Sequence, residues 1–598
     1  MQSFIQYRRF RTAVEKQHNG AKEKVSNAAQ NAPNDQPQSP ASSEDKDVEK
    51  GDSGSEYSQH QSGVASGPAG ETVLESSHGR DIAHPREEVE EPREEEEQAQ
   101  LSEEDVDQEM RQTLSRMSTQ RPGTSAMQRT LTGIEIRKRS TKEGGEGNVF
   151  IVGYHHDQDQ LNPHNWSYTS RIFITFMVAS IGFVVGVASS IDSSALPHAA
   201  AEFGVSEVAE SLATGMYLIG FGAGALFAGP FSETVGRNPV YITTMVLYMI
   251  FIMASGLAPN FGAQIAFRFL AGFFGSTPLT CAGGSLSDIW GPFERVYAFP
   301  VFANGAFLGP ILGPVMGGYI VSTGVLPSWR WTEWITLIMS GVVLTLVTLL
   351  LPETFPPVLL KWKAAHLRAI TGDDRYRAEV EVRMDPFLTR LGRALYRPFL
   401  LTATEPIILL VALYLTVIYI ILFTFLDGYT YIFQDIHRTS EGVTGLCFLG
   451  IAIGLCLASI LVPIIASQAK RELHKIREAG GDRLPPEFRL WFSMYGAPAI
   501  PISLFWMGWT SDSSISIWSP LAASVLFGYG ILTVFISSYQ YVIDSYEIYA
   551  ASALASVTLI RYVAAGGMTV VGVSLCPPHF PNSPSLPSLS LFVISHVC

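Results

Sequence analysis

Residues 229–240 read GPFSETVGRNPV, from Gly229 to Val240, a short polar turn between two long apolar stretches. Gly229 and Gly236 permit close backbone approach, and Arg237 is placed to be held by acidic groups and helix ends. Outward from this turn, apolar runs of about 20 residues, the length that crosses a bilayer hydrocarbon core, recur on both sides. They cover 172–192, 211–231, 239–258, 263–287, 296–321, 333–351, 406–427, 443–466, 491–510, 516–537 and 548–573. The fold class read from them is an all-α polytopic membrane protein. Six spans make a first half (166–352) and five a second half (406–573), with a polar central loop (353–405) between them. That division suggests two parallel repeats around a central cavity. Within the loop, KWKAAHLRAITGDDRYRAEVEVR mixes charges at helical spacing and reads as surface helix.

Lys and Arg in the short links set the orientation. The links on the Arg237 side carry 17 of them, including Arg295, nine in the central loop and six from Lys470 to Arg489; the opposite links carry Arg330 and Arg438 alone. The N-terminus is therefore expected in the cytosol, and the Asn165-Trp-Ser167 sequon on that side is expected to stay unglycosylated. Residues 1–165 hold no apolar stretch able to fill a core, which predicts a disordered cytosolic tail. Much of the net charge of −14 comes from tail runs such as Glu87–Glu97, with eight Glu, so it says little about partners. Ser and Thr near Arg in RQTLSRMST and EIRKRST make cytosolic kinases candidate partners of the tail. The first residues contain no signal-peptide h-region. The five cysteines show neither a disulfide framework nor metal-ligand spacing. After Val573 come Pro577, Pro578, Pro581, Pro584 and Pro587, which forbid a regular spanning helix. A twelfth helix is thus missing or altered in the Pro/Ser-rich stretch 574–598; a retained intron or shifted frame would produce this, a natural eleven-span protein being the alternative.

The 229–240 turn closely resembles the signature loop of the major facilitator superfamily, with Glu233 where the usual pattern has Asp. In the fifth run, Gly305, Gly309, Gly313 and Gly317 recur every fourth residue and build a smooth face for close helix packing, with Pro310 and Pro314 adding bends. This pattern looks like the antiporter signature in the fifth helix of drug:proton exporters rather than of sugar importers. NPHNWS, RFLAGFFGSTPLT, SWRWTEW, LPETFPPVLLKWKAAHLRAITGDDRY and SSYQYVIDSYEIYAASALASVTLIRYVAAG resemble blocks of the fungal twelve-span drug:proton antiporters, which include polyamine and multidrug exporters. The resemblance covers about residues 160 to 573 and departs from the pattern at the twelfth helix. It implies proton-coupled export of small amphipathic or cationic molecules (drugs, toxins, polyamines) by a monomer in the plasma membrane, the vacuolar membrane being the alternative. Its partners are then substrate, protons and lipid, with a proton gradient instead of a cofactor, no metal and no nucleic acid.

A charged group at membrane depth costs about 2.5 kcal/mol or more, so each needs a reason. Asp192 lies near the outer edge of the first span and Asp427 at the corresponding end of the seventh. In the family, helices 1, 4, 7 and 10 line the cavity, so the resemblance lets Asp192 approach Arg268 and exchange a proton there. Arg268 and Gly272 match the family's fourth-helix pattern of Arg before Gly; for both acids a hydrated helix end is the plain alternative. Arg561, near the middle of the eleventh span, is expected to partner an unseen acid, with a place in the substrate cavity as the alternative. Tyr414 and Tyr419 are placed to offer ring faces to a cationic or planar substrate. An importer of the sugar class would carry a basic PESPR-like block where this chain has LPETFPP. A non-transporting receptor or scaffold has no use for the fifth-helix pattern or the intramembrane charges. No HExxH, GxSxG, P-loop or metal cluster points to an enzyme.

Overall fold

The computed structural model describes residues 2–30, 134–140, 146–154, 159–322, 328–382, 387–480, 484–546 and 549–575. The acidic run, RQTLSRMST and the proline-rich end at 576–598 lie outside the described residues. Ten helices among those described are long and apolar enough to cross a membrane. They are Tyr168–Phe203, Glu207–Val235, Arg237–Gly256, Phe261–Ile289, Arg295–Ser322, Trp331–Leu350, Pro406–Ile436, Glu441–Glu478, Trp518–Tyr546 and Ala550–Gly572. The expected ninth span is two shorter helices, Trp491–Gly496 and Ala499–Thr510. The break falls at Pro498, which has no N–H to donate and whose ring crowds the preceding turn. We keep the name ninth span for this pair, so that Trp518–Tyr546 and Ala550–Gly572 are the tenth and eleventh.

The packing order repeats. In the first half the first span packs on the fifth and the second on the fourth; in the second half the seventh packs on the eleventh and the eighth on the tenth. Adding six converts one set of pairs into the other, as two parallel repeats require. The halves meet along second against eleventh and fifth against eighth, two contacts exchanged by the same operation.

Part of the region expected to be a structureless tail is ordered. Gln2–Gln30 is a helix whose Phe10 and Val14 are buried with Leu359, Ala364 and Leu367. Tyr7 meets Trp362 edge-on at 5.5 Å, and Gln17 donates to Asp159 at 3.0 Å. Tyr7, Phe10 and Val14 are spaced i, i+3, i+7 and so share one helix face; docking against the central-loop helix Pro356–Thr371 buries a stripe too short to fill a core of its own. Strands β1 (Ile134–Ser140) and β2 (Glu146–Val152) pair antiparallel, and β2 continues parallel to β3 (Tyr376–Arg377). Lys363, buried beside Asp159 at 3.5 Å, donates to the Gly153 carbonyl; burial pushes its ammonium below the usual lysine range, and Asp159 opposes that.

Glu353 joins this layer to the spans. Its carboxylate accepts from the backbone N–H groups of Arg237 (3.0 Å), Asn238 (3.2 Å), Thr354 (3.0 Å) and Phe355 (2.9 Å). Those of Arg237 and Asn238 open the third span, so the side chain caps that helix start, while those of Thr354 and Phe355 hold the turn that leads into the helix at Pro356. Gln6 grips the Glu353 backbone from the other side, through its N–H and its carbonyl. Burial pushes the Glu353 carboxyl above its ordinary range, against the pull of these N–H groups. Glu353→Ala is expected to cost about 1–2 kcal/mol for the helix start left uncapped, read as a lower melting temperature of the purified protein. Glu353→Gln, which keeps one acceptor, should fall between the two.

Candidate functional site

The signature turn is held from within. Gly236 has φ 113°, and a Cβ there would meet Glu353 Oε2 at 2.6 Å, so the position requires glycine. Arg237 pairs with Asp288 at 3.0 Å, donates to Ser232 Oγ at 2.5 Å and lies over the Phe355 ring. Glu233 lines a small cavity with Arg397, Ala551 and Ser552, at the start of the eleventh span, and Gly229 approaches Ala551. The loop end of the bundle is also latched between halves. Asp544 of the tenth span accepts from Arg295 of the fifth at 3.0 Å and from Arg489 at 2.6 Å, and Arg489 donates to the Pro292 carbonyl.

The glycine stripe of the fifth span lies on the first span. Added Cβ atoms at Gly305, Gly309, Gly313 and Gly317 would strike Ala179, Phe183, Ser190 and Ile191 respectively, so the two backbones touch along their length. Pro310 packs on Gly186, and the Pro314 carbonyl accepts from Ser194 Oγ at 3.1 Å. The stripe thereby seats the 3-10 turn Ile191–Ala195 that carries Asp192.

Asp192 and Arg268 are brought together as an ion pair, and a residue missed in the sequence completes the group. Glu333, in the first turn of the sixth span, lies in ion-pair contact with Arg268 Nη2 at 2.7 Å and accepts from Ser255 Oγ at 2.8 Å. Arg268 Nη1 donates to the Ala188 carbonyl at 2.9 Å. One guanidinium thus serves two carboxylates. Asp192 keeps 15% of its side chain exposed, against 2% for Arg268 and 1% for Glu333. Glu333 stands inside SWRWTEW, where an acid at the very start of the 333–351 apolar run was the available signal.

Asp427 does not join this group. It lines a cavity of about 520 Å³ at the end opposite the signature loop, together with Ser193, Ser194, Glu207, Asp435 and Glu441. Four carboxylate residues and no Lys, Arg or His line that cavity. Asp427 forms no side-chain hydrogen bond or ion pair among the described residues.

The remaining candidates separate. Tyr419 is buried, edge-on to Phe307 and Tyr562 and tilted against Phe423. Tyr414 is 39% exposed on the outside of the bundle, because five residues at about 100° each turn it roughly 140° away from Tyr419; the expectation that it lines the cavity is overturned. Among the described residues Arg561 has no acid partner, against expectation. It is fully buried, donates to Tyr539 Oη at 2.6 Å and lies over the rings of Tyr419 (4.4 Å), Tyr562 (5.0 Å), Tyr539 (5.1 Å) and Phe535 (5.6 Å). Tyr419 and Tyr562 also wall a central void of about 20 Å³, with Phe307, Phe221 and Pro310.

Comparison with known proteins agrees with this architecture. The sequence profile described as Major Facilitator Superfamily matches residues 178–569, from the first span to the eleventh. MFS-type transporter kojT of Aspergillus flavus is 53% identical over 448 residues, 75% of this chain and 79% of that protein. The citrinin biosynthesis cluster MFS transporter mrr1 of Monascus ruber is 35% identical over 72% of this chain and 86% of its own length. Among solved structures, the xylose transporter XylE from E. coli is 14% identical with a TM-score of 0.47, covering 71% of this chain and 96% of that one. The sequence profile and the match to kojT place the chain in the Major Facilitator Superfamily, as a multi-pass membrane transporter and not an enzyme.

Proposed function

We propose that the chain is a proton-coupled exporter of small amphipathic molecules, acting at the plasma membrane with the signature-loop end in the cytosol. The observation that carries this reading is the Asp192–Arg268–Glu333 group. Two carboxylates on one guanidinium leave a net negative charge at membrane depth, and a bound proton removes it. Asp192 is the member in contact with solvent, and its neighbours Ser193 and Ser194 line the large cavity, so a proton reaches it from that side. Protonation weakens the hold of the first span on the fourth, and the first span rides on the glycine stripe of the fifth. The charge state of one carboxyl is thereby linked to the helices that must part. The relatives described as belonging to biosynthesis clusters favour a role in moving a metabolite out of the cell. Proteoliposomes loaded with labelled planar acids, planar cations and polyamines test the reading: movement of a probe should follow an imposed pH gradient and stop when it is collapsed. Movement unchanged by collapse would make the protein a facilitator.

Orientation rests on the 17-to-2 bias of Lys and Arg. Reporters inserted at Gly372 and Gly480 should read cytosolic and one at Thr439 external. A cytosolic signal at Thr439 would invert the assignment and turn the large cavity inward.

A further inference from the structure

Outside the Arg268 group, two buried oxygens without a hydrogen-bond donor belong to a single pair of side chains. Glu210, in the first turn of the second span, and Gln264, one turn into the fourth, stand at the end of the bundle opposite the signature loop. Gln264 Nε2 donates to Glu210 Oε1 at 2.7 Å. Glu210 Oε2 and Gln264 Oε1 have no hydrogen-bond partner among the described residues. Glu210 is 5% exposed and Gln264 1%, and neither borders a described cavity, so solvent does not supply the missing donor. A buried acceptor left unpaired is costly, and two of them on touching side chains call for one explanation.

A proton on Glu210 supplies both. An ionised carboxylate only accepts, and so does an amide oxygen, so an ionised Glu210 leaves the two oxygens buried without a donor. With a proton on Oε2, the acid donates to the amide oxygen while the amide donates back to Oε1, closing a ring of two hydrogen bonds. Turning the amide over would bring oxygen against oxygen at 2.7 Å, a contact that demands the same proton. The surrounding charges agree. Gln264 and Arg268 share one face of the fourth span, one turn apart, but Arg268 is already divided between Asp192 and Glu333. An ionised Glu210 would be a third carboxylate drawing on one cation. The helix Leu196–Phe203, packed on the second span, brings exposed His198 and Glu202, the latter held by Arg330. Arg561 of the eleventh span is enclosed by its rings, and Arg237, Asp288 and Arg397 lie at the signature-loop end. A helix start favours negative charge, and exposed Glu207 in the same first turn already provides it.

We infer that Glu210 is a proton-binding site separate from the Asp192 group, occupied at neutral pH, where the neutral acid and Gln264 join the second span to the fourth. The inference goes beyond the transport reading and stands without it. Infrared spectra of the purified full chain in nanodiscs at neutral pH test it, taken as parent minus Glu210→Gln. The difference should contain a protonated-carboxyl C=O band that shifts in D2O, and no carboxylate band. The glutamine amide puts an N–H where the acid has its O–H, so Glu210→Gln should melt at the parental temperature. Glu210→Ala, which strands both polar ends of Gln264, should melt below it. If Glu210→Gln does not fold, Gln264→Leu decides: the acid band should remain and move to higher frequency, because its carbonyl has lost the amide donor. A carboxylate band in the parent minus Glu210→Gln spectrum, or an unaltered C=O region in the deciding variant, overturns the inference.

Discussion

Asp192→Asn is expected to abolish pH-gradient-driven transport while leaving exchange between equal substrate pools near the parental rate. Net export must return the carrier through the proton step, whereas exchange returns it loaded and bypasses that step. Asparagine keeps the shape of the side chain and a hydrogen-bonding oxygen for Arg268 but cannot gain or lose the proton. The substitution also leaves Arg268 and Glu333 as a balanced pair at 2.7 Å, so folding should be preserved and the defect confined to coupling. The measurement is probe flux in proteoliposomes with and without an imposed gradient, with a drop of at least tenfold in the driven mode only. Parental driven flux would move the proton site to Glu333 or to Asp427. Asp544 is a poorer successor because Arg295 and Arg489 both hold it.

Arg268→Ala should be the most damaging single change to the fold. It leaves Asp192 and Glu333 facing each other without their cation, and Glu333 is only 1% exposed. Breaking a buried ion pair by removing one partner costs about 3–5 kcal/mol, because the remaining charge has no compensation. Both driven transport and exchange should fall, and the melting temperature with them. Adding Glu333→Gln to Arg268→Ala removes one of the stranded charges and should recover part of that stability. A melting curve for Arg268→Ala that overlays the parent would mean that the group carries no structural weight.

Particular residues show where reading a sequence stops. Asp192 and Arg268 were joined through helix positions supplied by a family resemblance, and the pair forms. Glu333 was passed over although its block was recognised, because nothing local distinguishes an acid at a hydrated helix end from one turned onto a buried arginine. Tyr414 was given the same role as Tyr419, yet five residues along a helix lead to opposite faces. The N-terminal helix was hidden by averaging: its apolar stripe of Tyr7, Phe10 and Val14 is sparse within a polar region and becomes a core only against Leu359 and Leu367.

By itself the sequence determined what depends on length, order and local chemistry. Apolar runs that match the bilayer, the six-plus-five division and the signature turn are local properties, since each helix satisfies its own backbone in lipid. The tertiary structure alone decided what depends on contacts between distant segments: Glu333 as second acid on Arg268, the cap that Glu353 sets on the third span, and the aromatic enclosure that leaves Arg561 without an acid among the described residues. A spanning helix is specified by its own composition. The partner of a buried charge is specified by rotation and depth relative to another helix, which single-helix periodicity does not contain.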